Sequence, residues 1–168
     1  MKKLKEIIIM GGAVRTAGNI TRFAEFNIFA DPLAARKVLE SGLQIILVPL
    51  EVTHEVYLTP WIIEERVKPM NHPFSQFLIE ATGYDFEART FRRGVEVFHL
   101  HDPLAIGVAL DLDLVRKEKL CVQAEIEEGE HCGQTSEVPP QSLGKKGIDV
   151  CLEVDSKRFL DLFFSRLA

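Results

Sequence analysis

Two short apolar runs with a capped helix between them constrain the fold of this chain more than any other feature. The first run, Ile7 to Met10, is β-branched and stops at a Gly-Gly pair, and the second, Gln44 to Leu50, has the same apolar character. Such runs are typical of strands buried on both faces of a parallel sheet. Asp31-Pro32, a capping acceptor followed by proline, predicts a helix between them that ends near Glu40. The order strand, helix, strand predicts a right-handed βαβ unit.

The rest of the chain continues to alternate helices and strands. Cap-and-proline pairs start the predicted helices, and alternating apolar and polar residues indicate strands in the last third. The first predicted helices run from Thr59-Pro60 to about Val67 and from Pro73 to about Glu87, the second with Phe74, Phe77, Leu78 and Ala81 on its apolar face. A loop over 88–98 is followed by a helix from Asp102-Pro103 through Leu110, with Asp102 as its cap. Strands are predicted over 120–126 and 148–154, and a closing helix is capped by Asp155, with Phe159, Leu160 and Phe163 on its apolar face. We predict one α/β domain over residues 1–168, with a mostly parallel sheet flanked by helices and a small C-terminal antiparallel β appendage.

Composition excludes several classes of partner. The net charge of -5 over 168 residues argues against nucleic acid, because nucleic-acid binders usually carry a basic stripe. Cys121, Cys132 and Cys151 form an odd set without Cys-x-x-Cys spacing, so neither a disulfide framework nor a zinc framework is indicated, and a cytoplasmic location is favoured. No apolar segment has the length that spans a membrane, so we expect no membrane partner.

The first candidate site lies between the first strand and the first helix, where residues 11–30 are predicted to form a long loop. Asn19, Glu25 and Asn27 stand there among aromatic residues. A glutamate between two phenylalanines needs hydrogen bonds to offset its burial. Two amides and a carboxylate could bind a polyhydroxylated ligand such as a sugar. The alternative is that these side chains only cap the backbone of the loop.

The second candidate site is His99-Leu-His101-Asp102. An extended segment would put His99 and His101 on one face. A carboxylate beside a histidine can hold a metal or orient a proton donor. In the alternative reading Asp102 is only a helix cap and the histidines are incidental.

Five motifs lie between residues 9 and 105: Ile-Met-Gly-Gly-Ala (9–13), Gly-Asn (18–19), Ala-Glu-Phe-Asn-Ile-Phe-Ala-Asp-Pro-Leu-Ala-Ala (24–35), Val-Pro-Leu-Glu-Val-Thr (48–53) and His-Asp-Pro-Leu-Ala (101–105). In this order and spacing they resemble the inosine-uridine-preferring nucleoside hydrolase family. The resemblance implies part of that family's Rossmann-like fold. It also implies hydrolysis of the N-glycosidic bond of a ribonucleoside, to give ribose and a free base, through an oxocarbenium-like transition state.

The same resemblance implies roles for the residues of the first site. Asn19 and Glu25 would bind the 5′-hydroxyl side of the ribose, and Asn27 would bind the 2′ and 3′ hydroxyl side. Met10 would pack near the sugar. Ribose or a ribonucleoside is therefore the expected ligand.

For the second site, the resemblance implies that His101 is the general acid near the leaving base. Asp102 would be a ligand of the calcium ion with which the family holds the ribose hydroxyls and the attacking water. The expected metal is therefore calcium.

The family's Asp-rich metal motif is missing from this sequence, in which no two aspartates are adjacent. The match corresponds only to the carboxy-terminal half or so of a family member, so we expect a domain truncated at its N-terminal side. Calcium takes about six to eight oxygen ligands, and Asp102 offers at most two, so we expect no tight calcium binding by this chain alone. Two hypotheses follow: half of a hydrolase that needs its complementary N-terminal half, or an inactive paralogue that binds ribosides or acts as an interaction module. In either case the sheet edge is expected to be covered by self-association or by a partner.

Overall fold

The computed structural model describes residues 4–93, 97–140 and 147–167, and for 84–93 it describes the backbone alone. The strands are β1 (Ile7–Met10), β2 (Ile45–Val48), β3 (Tyr57–Leu58), β4 (Phe98–His99), β5 (Val115–Leu120), β6 (Val122–Ala124), β7 (Thr135–Glu137) and β8 (Ile148–Val154). The α-helices are α1 (Phe26–Ala30), α2 (Pro32–Leu39), α3 (Leu50–Thr53), α4 (Pro60–Ile62), α5 (Pro73–Arg93), α6 (His101–Leu110) and α7 (Ser156–Leu167). A π-helical turn (Ile63–Val67) and 3₁₀ turns (Lys68–Met70, Leu112–Leu114) complete these elements.

The central sheet has the strand order β1-β2-β8-β5. β1 runs parallel to β2, with Ile7 opposite Ile45 and Met10 opposite Val48. β2 runs parallel to β8, and β5 joins β8 in the antiparallel sense. The predicted α/β fold, with a mostly parallel sheet, is confirmed.

Helix α2 forms between β1 and β2 as predicted. Asp31 caps it, since its carboxylate accepts a hydrogen bond from the backbone N–H of Ala34 at 2.9 Å, and Pro32 occupies the first turn. Gly42, just beyond the helix, has φ of 77°, a conformation that glycine adopts without strain.

The core occupies both faces of the sheet, and β2 divides its residues between the two faces. Ile46 and Val48 pack into a cluster with residues of α3, α6 and α7, among them Phe159. Ile45 and Leu47 pack on the opposite face. All four residues of β2 are buried, as expected for a strand covered on both sides.

Strand β1 is an edge strand among the described residues, and its four residues are only half-buried. Beside it, α2 exposes Leu33 and Val38, of which 51% and 37% of the surface is accessible. Helix α6, which also packs near β1, exposes Ile106 and Leu110. Exposed apolar side chains are therefore present on both helices that lie near the edge strand.

Two predictions about loops are wrong. Residues 11–30 include the short helix α1, which forms because the Glu25 side chain accepts hydrogen bonds from the backbone N–H groups of Asn27 and Ile28. The helix that starts at Pro73 continues to Arg93, beyond the predicted end at Glu87, and β4 follows within the predicted loop over 88–98. The sequence analysis predicted a helix start only at the Asp31-Pro32 cap, so the separate helix that Glu25 caps was not predicted.

Three other details also differ from the predictions. Helix α6 starts at His101 with Leu100 in the capping position, so Asp102 lies in the first turn and caps nothing. The predicted strand over 120–126 is divided at Cys121 between two sheets. Phe74 and Phe77 lie on the exposed surface of α5, with 64% and 68% of their surface accessible.

At the C-terminus, Asp155 accepts a hydrogen bond from the backbone N–H of Arg158 at 2.9 Å at the start of α7, as predicted. Phe159 is buried on that helix. None of the helices that the structure describes is long and apolar enough to cross a lipid bilayer.

Candidate functional site

The carboxyl ends of β1 and β2 are tied together, and the candidate site is built on this edge of the sheet. After β1, Gly11 N–H donates to Val48 O at 3.3 Å, and Leu50 N–H donates to Gly12 O at 2.9 Å. Gly12 has φ of 86°, which favours glycine, and a Cβ at this position would meet the Thr135 hydroxyl at 3.2 Å. Ligands of open α/β sheets bind outside the carboxyl ends of the strands, so this edge is where a site is expected.

Glu25 organises the loop that follows β1. The residue is 2% exposed, and its carboxylate accepts backbone N–H groups of Gly12 at 3.0 Å, Asn27 at 2.8 Å and Ile28 at 3.1 Å. These bonds join the glycine turn to the start of α1. A carboxylate has about four acceptor positions, so these three bonds occupy most of the acceptor capacity of Glu25.

Asn27 and Met10 are in direct contact at the same place. Asn27 Nδ2 lies 3.3 Å from the Met10 carbonyl oxygen and 3.3 Å from its sulfur. Asn19 is exposed, and its Oδ1 accepts the backbone N–H of Phe26 at 2.9 Å. The structure therefore brings Met10, Glu25 and Asn27 together, and links Asn19 to them through the start of α1.

A shallow apolar pocket of about 240 Å³ borders this group. Ile9, Met10 and Asn27 form one side of it, and Ala34, Val38 and other residues of α2 form the other. The pocket opens beside edge strand β1. The candidate sugar-binding residues thus lie next to the open edge of the sheet.

The second group of side chains is centred on His101. Its Nδ1 lies 2.8 Å from Oγ1 of Thr53, a residue at the end of α3 with no exposed surface. His99 and His54 surround the ring, with centroids 5.4 Å and 5.7 Å from that of His101, and 5.0 Å from each other. The predicted proximity of His99 and His101 is present, although His101 begins a helix and does not continue a strand.

Thr53 and His54 were missed in the sequence. The signal available was their position, one turn beyond the buried strand β2 and therefore at the same sheet edge as the loop after β1. Burial lowers the pKa of His54, and the carboxylate of Glu51 raises it by less. Glu51 in turn accepts a hydrogen bond from the backbone N–H of Arg15, which connects α3 to the loop after β1.

The donors for a metal ion are few. Asp102 is exposed in the first turn of α6. Within 4–83, 97–140 and 147–167, no group of three or more histidine, cysteine or acidic side chains could hold a metal ion. Because calcium takes about six to eight oxygen ligands, the described part of this chain does not fit a calcium ion by itself.

The arrangement suits two tasks. Exposed amides and a thioether beside a rigid backbone turn can hold the hydroxyls and the carbon face of a sugar. An imidazole anchored by a buried hydroxyl can present a proton to a leaving group. Both groups of side chains lie at the carboxyl ends of the parallel strands.

Comparisons with known proteins give a consistent result. The family model described as inosine-uridine preferring nucleoside hydrolase matches residues 1–161. The pyrimidine-specific ribonucleoside hydrolase RihB of Escherichia coli O157:H7 is 31% identical over 163 residues, which cover 96% of this chain and 51% of that protein.

Solved structures agree with this match. A plant nucleoside hydrolase, the PpNRh1 enzyme, has a TM-score of 0.91 at 29% identity, over 99% of this chain and 54% of that one. A purine-preferring ribonucleoside hydrolase from Gardnerella vaginalis has a TM-score of 0.85 at 32% identity, over 96% of this chain and 51% of that one. The chain spans about half the length of the curated relatives it matches.

Proposed function

The chain belongs to the inosine-uridine preferring nucleoside hydrolase family, and from this we propose that it holds the ribose of a ribonucleoside and protonates the leaving base during hydrolysis of the N-glycosidic bond. The observation that carries the proposal is the buried Glu25 carboxylate, which fixes the turn after β1 and the start of α1 in one arrangement. That arrangement sets Asn27 against Met10 at the edge of the sheet where ligands are expected.

In the proposed complex, the first site contacts the ribose. Asn19 retains two amide N–H donors for the 5′-hydroxyl side, since its oxygen is the atom engaged with Phe26. Glu25 contributes its remaining acceptor position and, more importantly, the geometry of the loop. Asn27 faces the 2′ and 3′ hydroxyls, and Met10 packs on the sugar.

The second site acts on the base. As the bond between C1′ and the base nitrogen breaks, its electron pair goes to the base, and protonated His101 gives that nitrogen a proton. A general acid contributes about 10²–10⁴-fold, so His101 alone does not make an efficient enzyme. Water then adds to C1′, and the carboxylate that takes its proton is not among the side chains gathered here. Asp102 would supply one carboxylate to a calcium ion, and the other ligands would have to come from outside the residues that the structure describes.

We propose that a further polypeptide covers β1 and supplies the remaining half of the fold. The half-buried strand and the exposed Leu33 and Val38 beside it support this, because an open apolar sheet edge is a pairing surface. The relatives' greater length supports it too. Without such a partner the chain is expected to self-associate through the same edge.

Self-association is tested by analytical ultracentrifugation at micromolar concentration. Leu33→Glu and Val38→Glu should shift the chain toward monomer, whereas Ile126→Glu, a change at an exposed isoleucine of the β6–β7 connection, should not. A wild-type chain that sediments as a monomer would contradict the proposed pairing edge.

Ribose binding and hydrolysis are tested separately. Titration of the chain with ribose, inosine or uridine should move the NMR signals of the loop after β1, and Asn27→Ala should weaken the effect while Gln76→Ala on α5 should not. Absence of any shift at millimolar ligand would contradict riboside binding. Ribose release by the chain alone is expected to be undetectable, and release that is abolished by Asp102→Asn would instead establish a complete enzyme.

An inactive, riboside-binding paralogue is the second candidate. It is favoured by the lack of a metal-holding cluster within 4–83, 97–140 and 147–167. The two candidates differ in one outcome: only the hydrolase acquires activity when a polypeptide with the family's acidic motif is added.

A further inference from the structure

Among the described residues, the buried hydroxyl of Thr53 has one hydrogen-bond partner. Thr53 has no exposed surface and lies beside the core residues Leu50 and Val52. Its Oγ1 is 2.8 Å from Nδ1 of His101, and no other hydrogen bond of this hydroxyl is present among the described residues. A buried O–H without an acceptor costs about 1–3 kcal/mol, so the proton of this hydroxyl points at Nδ1.

That direction determines where the imidazole proton is. A neutral histidine has one protonated nitrogen and one acceptor nitrogen, and the hydrogen bond of one nitrogen fixes the state of the other. When Nδ1 accepts from Thr53, the proton lies on Nε2.

The hydroxyl can also form a hydrogen bond with the protonated ring. A threonine oxygen both donates and accepts, so it can turn to accept from Nδ1–H when the ring is cationic. Nδ1 stays engaged in both states. Nε2 therefore carries a proton whichever charge the ring has.

The neighbouring rings restrict the orientation of His101. His54 follows Thr53 in the chain, and its ring meets that of His101 at an interplanar angle of 62°. His99 lies on strand β4, just before α6, and its ring is tilted by 33° to that of His101. A 180° rotation of the ring about χ2 would put Cδ2 in the place of Nδ1 and would have to break the bond to Thr53 between these neighbours.

We infer that Thr53 is a positioning residue for His101, whose buried hydroxyl holds Nδ1 and keeps the neutral ring in the Nε2–H tautomer. The inference rests on the proposed function of His101 as the proton donor to the leaving base. Thr53 touches neither sugar nor base in this proposal and acts only through the imidazole.

The test is long-range ¹H–¹⁵N correlation NMR of the histidine-labelled chain at pH about 8.5, where histidines of ordinary pKa are neutral. His101→Gln assigns the signals. The wild-type ring should show a protonated Nε2 and an unprotonated Nδ1. Thr53→Val, which replaces the hydroxyl with a methyl group of similar size, should lose this single pattern and give a mixture of tautomers. Thr53→Ser, which keeps the hydroxyl, should restore it.

The exposed ring of His131, whose Nδ1 lies 2.7 Å from the Gln134 side chain, reports on folding in every variant. A wild-type ring protonated at Nδ1, or a Thr53→Val variant with the wild-type pattern, would overturn the inference. If Thr53→Val does not fold, the tautomers observed in the wild-type chain and in Thr53→Ser still test the inference. Because no substrate is present, failure of riboside binding would refute the proposed function without changing this result.

Discussion

Replacing Glu25 with glutamine tests whether its carboxylate holds the loop after β1 to helix α1. The carboxylate accepts three backbone N–H groups, those of Gly12, Asn27 and Ile28. Glutamine is nearly the same size but has only one acceptor oxygen. If that oxygen keeps the two bonds now made by Oε2, the N–H of Asn27 faces the amide NH₂ and loses its partner.

The size of the effect follows from these bonds. Two hydrogen bonds change from a charged to a neutral acceptor, at about 1 kcal/mol each, and one partly buried N–H, that of Asn27, loses its partner, at about 1–3 kcal/mol. Relief of the desolvation of the carboxylate offsets part of this sum. We expect Glu25→Gln to lower the free energy of unfolding by about 3 kcal/mol. For a protein of this size, that corresponds to a fall in Tm of about 6–12 °C.

Urea denaturation followed by circular dichroism measures the change. Glu65→Gln is the matched control, because Glu65 is exposed and its carboxylate makes no hydrogen bond with the described residues. The control should stay within about 0.5 kcal/mol of wild type. A Glu25→Gln variant as stable as the control would refute the argument that the three bonds fix the loop.

Three other outcomes are expected. Calorimetry with calcium should reveal no tight stoichiometric site on the chain alone, and a tight site lost in Asp102→Asn would contradict the proposed need for a partner's ligands. Burial lowers the pKa of His54, so the unfolded chain binds its proton first as pH falls. Stability should therefore decline as pH drops through about 6.5 and toward the lower folded pKa, and His54→Gln should flatten that decline; an unchanged slope would contradict the burial argument. Burial raises the pKa of the Cys151 thiol to about 12, so its thiolate fraction at pH 8 is about 10⁻⁴, and native alkylation should modify half-buried Cys132 first. Equal rates at the two thiols would indicate that Cys151 is accessible.

The central architecture was predictable because its signals are local. The apolar runs of β1 and β2 and the Asp31-Pro32 cap each depend on neighbours in sequence. The same is true of Asp155, which caps α7 one residue away. These patterns gave the strands, the helix between them and the parallel pairing.

The features that the sequence did not predict depend on contacts between distant residues. The exposure of Phe74 and Phe77 follows from which side of α5 meets the core, and spacing alone does not reveal this. The break at Cys121 arises because the chain leaves the central sheet there to pair with β7. For the candidate site, Glu25, Asn27 and His101 were candidates from the sequence, but the anchoring of His101 by Thr53 joins residues 48 positions apart.

A long-range hydrogen bond beside the Gly12 turn also bears on how this protein folds. Ala13 N–H donates to the Thr135 hydroxyl at 2.8 Å, across 122 residues of sequence, and Ala24 forms a bridge to Gln134 in the same region. Contacts of such high sequence separation require closure of a long loop, and they slow folding. We therefore expect the segment that carries Asn19 and Asn27 to reach its final shape only after the β6–β7 pair has formed. Ligand-binding competence should thus appear among the last events of folding, after the secondary structure of β1 and α2.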